Sequence, residues 1–151
     1  MKVKDYMKRS FRAVPSHAPM KEVARAFFET NDSILPVTES DGTLSGVISI
    51  DDFILIFLPD YIDLIRNIDF IHDFGALEKA SYSIEEMLFV AEDLQRENYP
   101  VLDENDSIMK AAAVLHRTDI QTIPVVNDDK LVGMISKNDF CRAVFNMEGR
   151  N

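Results

Sequence analysis

Two stretches of the chain are versions of one another, and that repeat constrains the fold more than any bulk property. Leu44-Ser-Gly-Val-Ile-Ser-Ile-Asp-Asp-Phe53 returns as Leu131-Val-Gly-Met-Ile-Ser-Lys-Asn-Asp-Phe140, and Leu35-Pro36-Val37 returns as Ile123-Pro124-Val125. Pro36 and Pro124 are 88 residues apart whereas Gly46 and Gly133 are 87 apart, so the second copy loses one residue in the turn between them. The register holds back toward the start: Asp5 falls opposite Asp93, Phe11 opposite Tyr99, Ala13-Val14 opposite Val101-Leu102, and Met20 opposite Ile108. A period of this kind means two copies of one supersecondary unit. Neither copy, at roughly 55 residues, buries much core alone. The two halves are therefore expected to pack against each other.

Each copy reads as strand, helix, strand, strand, helix. In the first, Phe11 to Val14 suits a short strand, and Pro19 suits the first turn of a helix. Met20, Val23, Ala24, Phe27 and Phe28 recur at helical spacing. Ile34 to Thr38 reads as a strand, Ser40 to Thr43 carries turn chemistry, Leu44 to Ser49 is the partner strand, and Asp51 opens another helix. The second copy repeats the order with Val101-Leu102, the stripe Ile108, Ala111, Ala112 and Leu115, then Thr122 to Val126, the turn Asn127 to Lys130, Leu131 to Ser136, and a helix from Asn138 to about Phe145.

Bulk properties exclude several function classes. At 151 residues with 46% hydrophobic content, the chain is expected to form one soluble domain. No apolar run approaches the roughly 18 residues of a membrane span, and Met1-Lys-Val-Lys-Asp5 lacks the shape of a signal peptide. The expected location is cytoplasmic. The formal charge of −10 opposes a sequence-independent hold on nucleic acid or anionic lipid. An anionic small molecule must then find a locally favourable pocket. The single cysteine, Cys141, cannot form an internal bridge and is expected in the core.

An apolar-Pro-Val strand, an acidic turn, Leu-x-Gly-apolar-Ile-Ser and then x-x-Asp, twice and in the same order, resembles the cystathionine-β-synthase (CBS) domain pair, or Bateman module. The resemblance covers about residues 3 to 58 and 90 to 147. It implies an α+β fold of two tandem CBS repeats packed with pseudo-two-fold symmetry, divided here as repeat 1 over 1–58, a helical linker over 59–89 and repeat 2 over 90–151. It also implies a regulatory module sensing adenosine-containing ligands such as AMP, ADP, ATP or S-adenosylmethionine, with no required cofactor.

The chemistry of the motif supports that expectation on its own terms. A carboxylate at the first turn of a helix can accept both hydroxyls of a ribose, while a hydroxyl three residues earlier, beside free helix N–H groups, faces phosphate. Ser49 with Asp52, and Ser136 with Asp139, keep this pair in both copies. Ser and Asp are also good helix caps anywhere. Gly46 and Gly133 suit either a close backbone approach or plain packing. By the resemblance, each cleft lies between the repeats. Ser136 and Asp139, with Met134, Lys137 and Asn138, would face Arg12, Ser33 and Ile34. Ser49 and Asp52, with Val47, would face Pro100, Gln121 and Thr122. Lys137 adds a positive charge beside the phosphate position expected near Asp139, where the other copy has Ile50 and an extra negative charge at Asp51. The Asp139 cleft is thus the expected nucleotide site.

Residues 59 to 89 stand outside the repeat. Pro59 is expected to stop a helix, and Tyr61, Ile62, Leu64, Ile65, Ile68, Ile71 and Phe74 form an apolar stripe ended by Gly75. Ser83 to Glu86 has capping-box spacing. Such a segment is too apolar for a free tether and suits packing in cis or at a dimer contact. Catalysis has little support: His17, His72 and His116 lack metal-ligand spacing, and no nucleophile elbow, Walker loop or dinucleotide fingerprint occurs. The expectation is a non-enzymatic sensor, homodimeric through its terminal helices, that signals occupancy to an effector protein and binds neither nucleic acid nor membrane. The alternative is a structural dimerisation protein with empty clefts.

Overall fold

The turn residues of each copy set its hairpin. In the computed structural model, which describes residues 1–58 and 88–148, Asp128 and Asp129 both take positive φ, 48° and 64°, between strands that close on Asn127 and Lys130. Two consecutive left-handed residues match the twist of a tight hairpin, and Asp tolerates that region better than most side chains. The first copy instead turns through Gly42 at φ 87° and resumes pairing at Thr38 and Leu44. The residue lost between the two copies is lost here.

The first copy comprises β1 (Val14–Pro15), α1 (Met20–Thr30), β2 (Ile34–Thr38), β3 (Leu44–Ser49) and α2 (Ile50–Leu55). The second comprises α3 (Ala91–Leu94), β4 (Leu102–Asp103), α4 (Ile108–Arg117), β5 (Thr122–Asn127), β6 (Lys130–Ser136) and α5 (Lys137–Glu148). Each copy holds a three-stranded sheet, ordered β1-β2-β3 and β4-β5-β6, with the short first strand parallel and the hairpin antiparallel. The expected linker helices, the stop at Pro59 and the Ser83 capping box fall on residues 59–87, outside the described residues.

The short first strands start later than the sequence pattern suggests. Phe11 does not join a sheet; it packs instead with Tyr99 and Leu131 against Ile34, Val47 and Met134, in a cluster between the copies. Val101 is exposed and Leu102 opens β4. On α1 the buried face is Met20, Val23, Ala26 and Phe27, while Phe28 turns to solvent, because the helix presents only a narrow apolar stripe. Pro19 is the residue before that helix rather than part of its first turn, and Asn31 ends it at φ 57°. Cys141 is exposed, contrary to expectation, since Ala143 and Phe140 carry the inward face of α5.

The copies are joined by an exchange of their leading segments. The 3-10 turn Val3–Asp5 bonds to the second copy, Val3 N–H to Asp106 O at 2.9 Å and Lys4 N–H to Glu104 O at 3.0 Å. The matching groups of the second copy return to the first, Ala91 N–H to Ala18 O at 2.9 Å and Glu92 N–H to Ser16 O at 2.9 Å. Val3 and Met7 accordingly lie in the core of the second copy, and Ala91 in that of the first. Farther along, Lys8 pairs with Met134 on the edge of β6 (2.8 and 2.9 Å), and Arg96 pairs with Val47 on the edge of β3 (3.1 and 2.8 Å). Each exchanged segment thus covers a sheet edge that would otherwise expose unpaired backbone. The hairpin tips also meet, through Leu44 N–H to Asp129 O at 2.9 Å and Leu131 N–H to Gly42 O at 3.1 Å.

Candidate functional site

The two Ser-x-x-Asp motifs sit where β3 and β6 hand over to α2 and α5. Ser49 caps α2, its Oγ accepting from Asp52 N–H at 3.1 Å, and Ser136 Oγ accepts likewise from Asp139 N–H at 3.2 Å. The capping reading therefore holds for both. It does not exhaust them, because the two carboxylates have different fates.

Asp52 is clamped. Arg96, delivered by the exchanged segment, donates from Nε to Oδ2 at 2.6 Å and from its terminal nitrogen to Oδ1 at 2.7 Å. This two-pronged geometry is the strongest form of the pair. The guanidinium holds the Asp52 carboxyl below its ordinary value of 3.8, against a smaller opposing effect of burial.

Asp139 is fully buried and only half satisfied. Its Oδ2 accepts from the Ser136 N–H at 2.9 Å and the Ser136 hydroxyl at 2.7 Å. Its Oδ1 lies 3.4 Å from an Arg142 nitrogen but accepts no hydrogen bond. With Arg142 largely in solvent, that contact contributes little. A buried carboxylate oxygen without a donor costs about 1–3 kcal/mol or more, a deficit that ligand hydroxyls can remove. The position matching Arg96 is occupied by Lys8, whose exposed ammonium has no partner among the described residues.

A cavity of 170 Å³ lies against Asp139, lined by Ser136, Lys137, Asn138, Met134, Gln121 and Thr122 from the second copy and by Lys8, Ser10, Phe11 and Asp32 from the first. Through Lys8, Ser10, Phe11 and Asp32 it opens onto a shallower depression of 370 Å³ that also reaches Arg12, Glu29 and Thr30. The walls offer hydroxyls, a free ammonium, one carboxylate from each copy, and the apolar faces of Phe11 and Met134. That mixture suits a ligand with a flat apolar part, vicinal hydroxyls and an anionic end.

The expected partition of residues between the clefts is corrected by this geometry. Gln121 and Thr122 belong with Asp139, because Gln121 O accepts from Lys137 N–H at 3.1 Å at the start of α5. Ser33 O accepts from Ile50 N–H at 2.9 Å, so Ser33 stands beside the Asp52 motif. Ile34 is buried with Val47 and Met134 in the central cluster and lines neither of the two depressions described. Pro100 borders neither of the two depressions described. Arg12 lines the adjoining depression rather than the cavity itself and leans toward Glu29 at 3.9 Å. Lys137 lines the cavity with its ammonium on Asp119 at 3.1 Å. That pair is exposed and readily exchanged.

Lys8, Ser10, Phe11, Asp32 and Arg96 were not evident as site residues in the sequence. The signal was present in the register, since Lys8 matches Arg96 as Phe11 matches Tyr99, but the exchange of leading segments has no local sequence mark. Gly46 and Gly133 serve that exchange. A Cβ on Gly46 would stand 2.9 Å from Arg96 O, and one on Gly133 would stand 2.9 Å from Lys8 O and 2.7 Å from Met7 Sδ. The close approach is to the chain itself.

Comparison with known proteins agrees with this architecture. The family model for the CBS domain matches twice, over residues 3–58 and 90–146. The CBS-pair protein CBSX2 from Arabidopsis thaliana is similar in structure, with a TM-score of 0.74 at 24% identity over 99% of this chain and 97% of that one. CBSX2 has also been solved in complex with AMP, and that structure matches with a TM-score of 0.72 at 23% identity, covering 97% and 98% of the two chains. Protein MJ1225 from Methanocaldococcus jannaschii matches with a TM-score of 0.71 at 23% identity over 95% of this chain and 47% of that one. In sequence, a homoserine O-acetyltransferase from Methanococcus vannielii is 35% identical over an alignment of 78 residues that covers 48% of this chain and 16% of that protein.

Proposed function

This chain belongs to the CBS-domain family, and from that premise we propose that it is a regulatory sensor whose ligand is an adenosine nucleotide held in the Asp139 cleft. The observation that carries the reading is the unsatisfied Oδ1 of a fully buried Asp139 beside a cavity. In this reading the ribose hydroxyls donate to Asp139, Phe11 and Met134 flank the base, and phosphate meets the Ser136 hydroxyl and the start of α5. Lys8, and Lys137 once released from Asp119, supply the positive charge that an acidic protein otherwise lacks. AMP bound to CBSX2 is consistent with this ligand class. The partial likeness to an acetyltransferase spans too little of that protein to import its reaction, and the proposal is of a binding module rather than an enzyme. The division into repeats at 1–58 and 90–151, a cytoplasmic location, and transmission to an effector protein belong to the same reading. No helix among the described residues is long and apolar enough to cross a membrane.

Homodimerisation is the companion reading. Ile54 and Leu55 on α2 and Val144 and Phe145 on α5 leave large apolar side chains in solvent.

A melting experiment with AMP, ADP, ATP and S-adenosylmethionine tests the sensor. A binding compound at about a hundred times its dissociation constant adds about 2.7 kcal/mol of stability, a shift of several degrees at this chain length. Asp139→Ala is expected to abolish the shift. No shift with any adenine compound defeats the proposal and leaves the structural role.

A further inference from the structure

We infer that Arg96 acts as an internal stand-in for a ligand, closing the Asp52 cleft, and that the residue at the paired positions 8 and 96 decides which cleft of the module accepts one. The inference rests on the nucleotide reading for its probe, but its argument is the contrast between two equivalent sites. Both oxygens of Asp52 are taken by the Arg96 guanidinium at 2.6 and 2.7 Å, the same acceptor atoms that ribose hydroxyls would need. At Asp139 the equivalent cation is Lys8, which has no partner among the described residues, and one carboxylate oxygen stays without a hydrogen bond. Both cations arrive on matching backbone, Lys8 paired with Met134 and Arg96 with Val47. The difference therefore lies in the side chains: a planar fork reaches and holds a carboxylate at two points, whereas an ammonium on a flexible stem is a single mobile charge. An arginine here competes with the ligand, and a lysine leaves the carboxylate available.

Equilibrium dialysis of radiolabelled AMP against the full chain tests this, with circular dichroism confirming that each variant is folded. The wild type is expected to take up one equivalent, lost in Asp139→Ala and kept in Asp52→Ala. Arg96→Lys and Arg96→Gln are expected to gain a second equivalent that Asp52→Ala removes. Lys8→Arg is expected to weaken the original site at least tenfold. The paired exchange of Lys8→Arg with Arg96→Lys should move the site from Asp139 to Asp52. Two equivalents in the wild type, or no gain in either Arg96 variant, overturns the inference. No uptake by the wild type but one equivalent in Arg96→Gln supports the clamp while defeating the assignment of the Asp139 cleft. No uptake in any variant overturns both.

Discussion

Replacing Gly133 by alanine tests whether the exchange of leading segments holds the module together. The glycine has an ordinary backbone conformation, so a methyl group there costs nothing in φ and acts only through space. It would lie 2.7 Å from Met7 Sδ, which can swing aside, and 2.9 Å from Lys8 O, which cannot move without its strand pairing. Overfilling a packed contact costs about 1–3 kcal/mol. If Lys8 retreats, its two backbone bonds to Met134 go as well, at about 1 kcal/mol each. The expected loss is about 3–5 kcal/mol, or roughly 6–20 °C in melting temperature for a chain of this size. Urea unfolding followed by circular dichroism measures it directly. Gly46→Ala should cost a similar amount through Arg96 O at 2.9 Å. AMP affinity should fall in Gly133→Ala, because Lys8, Ser10 and Phe11 reach the cavity on the displaced segment. A stability change below about 0.5 kcal/mol, the range of an ordinary surface substitution, would refute the argument.

Burial pushes the Tyr99 hydroxyl up to about 12 from its ordinary 10.0, with Arg96 opposing, while the hydroxyl donates to Thr122 O at 3.0 Å. A raised folded value means stability intact below pH 10 and lost as pH climbs toward 12; Tyr99→Phe should flatten that alkaline limb in urea titrations and cost about 1 kcal/mol at neutral pH. Ser49→Ala should cost about 1 kcal/mol as a lost cap. Ser136→Ala should cost about 1–3 kcal/mol more, because it also strips a donor from buried Asp139; equal losses by thermal melting would contradict the account of that carboxylate. Sedimentation at micromolar concentration should give a dimer for the wild type and a monomer for Phe145→Glu, and a wild-type monomer would count against the companion reading.

The repeat made most of the fold legible, because period, hairpin chemistry and helical stripes are local and both copies carry them. Hairpins β2–β3 and β5–β6 fall where Pro36, Pro124 and their turns put them. The short strands were misplaced because two residues carry almost no periodic signal, and Phe11 and Val101 look like strand residues whatever they touch. In the candidate site, the spacing of Ser136 with Asp139 and of Ser49 with Asp52 makes the two helix caps legible. The partners were not. The resemblance puts Gln121 and Thr122 opposite Asp52 whereas they line the cavity at Asp139, and nothing local marks Arg96, because the segment that crosses between copies is fixed by tertiary pairing with β3 and β6 and by the room left at two glycines.

The exchanged leading turns also govern how the chain reaches its native state. Lys8 and Met134 are 126 positions apart (134 − 8), so the contact that finishes one sheet edge waits until nearly the whole chain has been gathered. Contacts of that separation slow folding, since the loop must close before the pairing rewards it. A repeat produced alone would have an edge with no segment to receive and a leading segment with no edge to cover. Two such halves can satisfy each other by trading those segments, which makes the isolated repeat a natural substrate for swapped dimers.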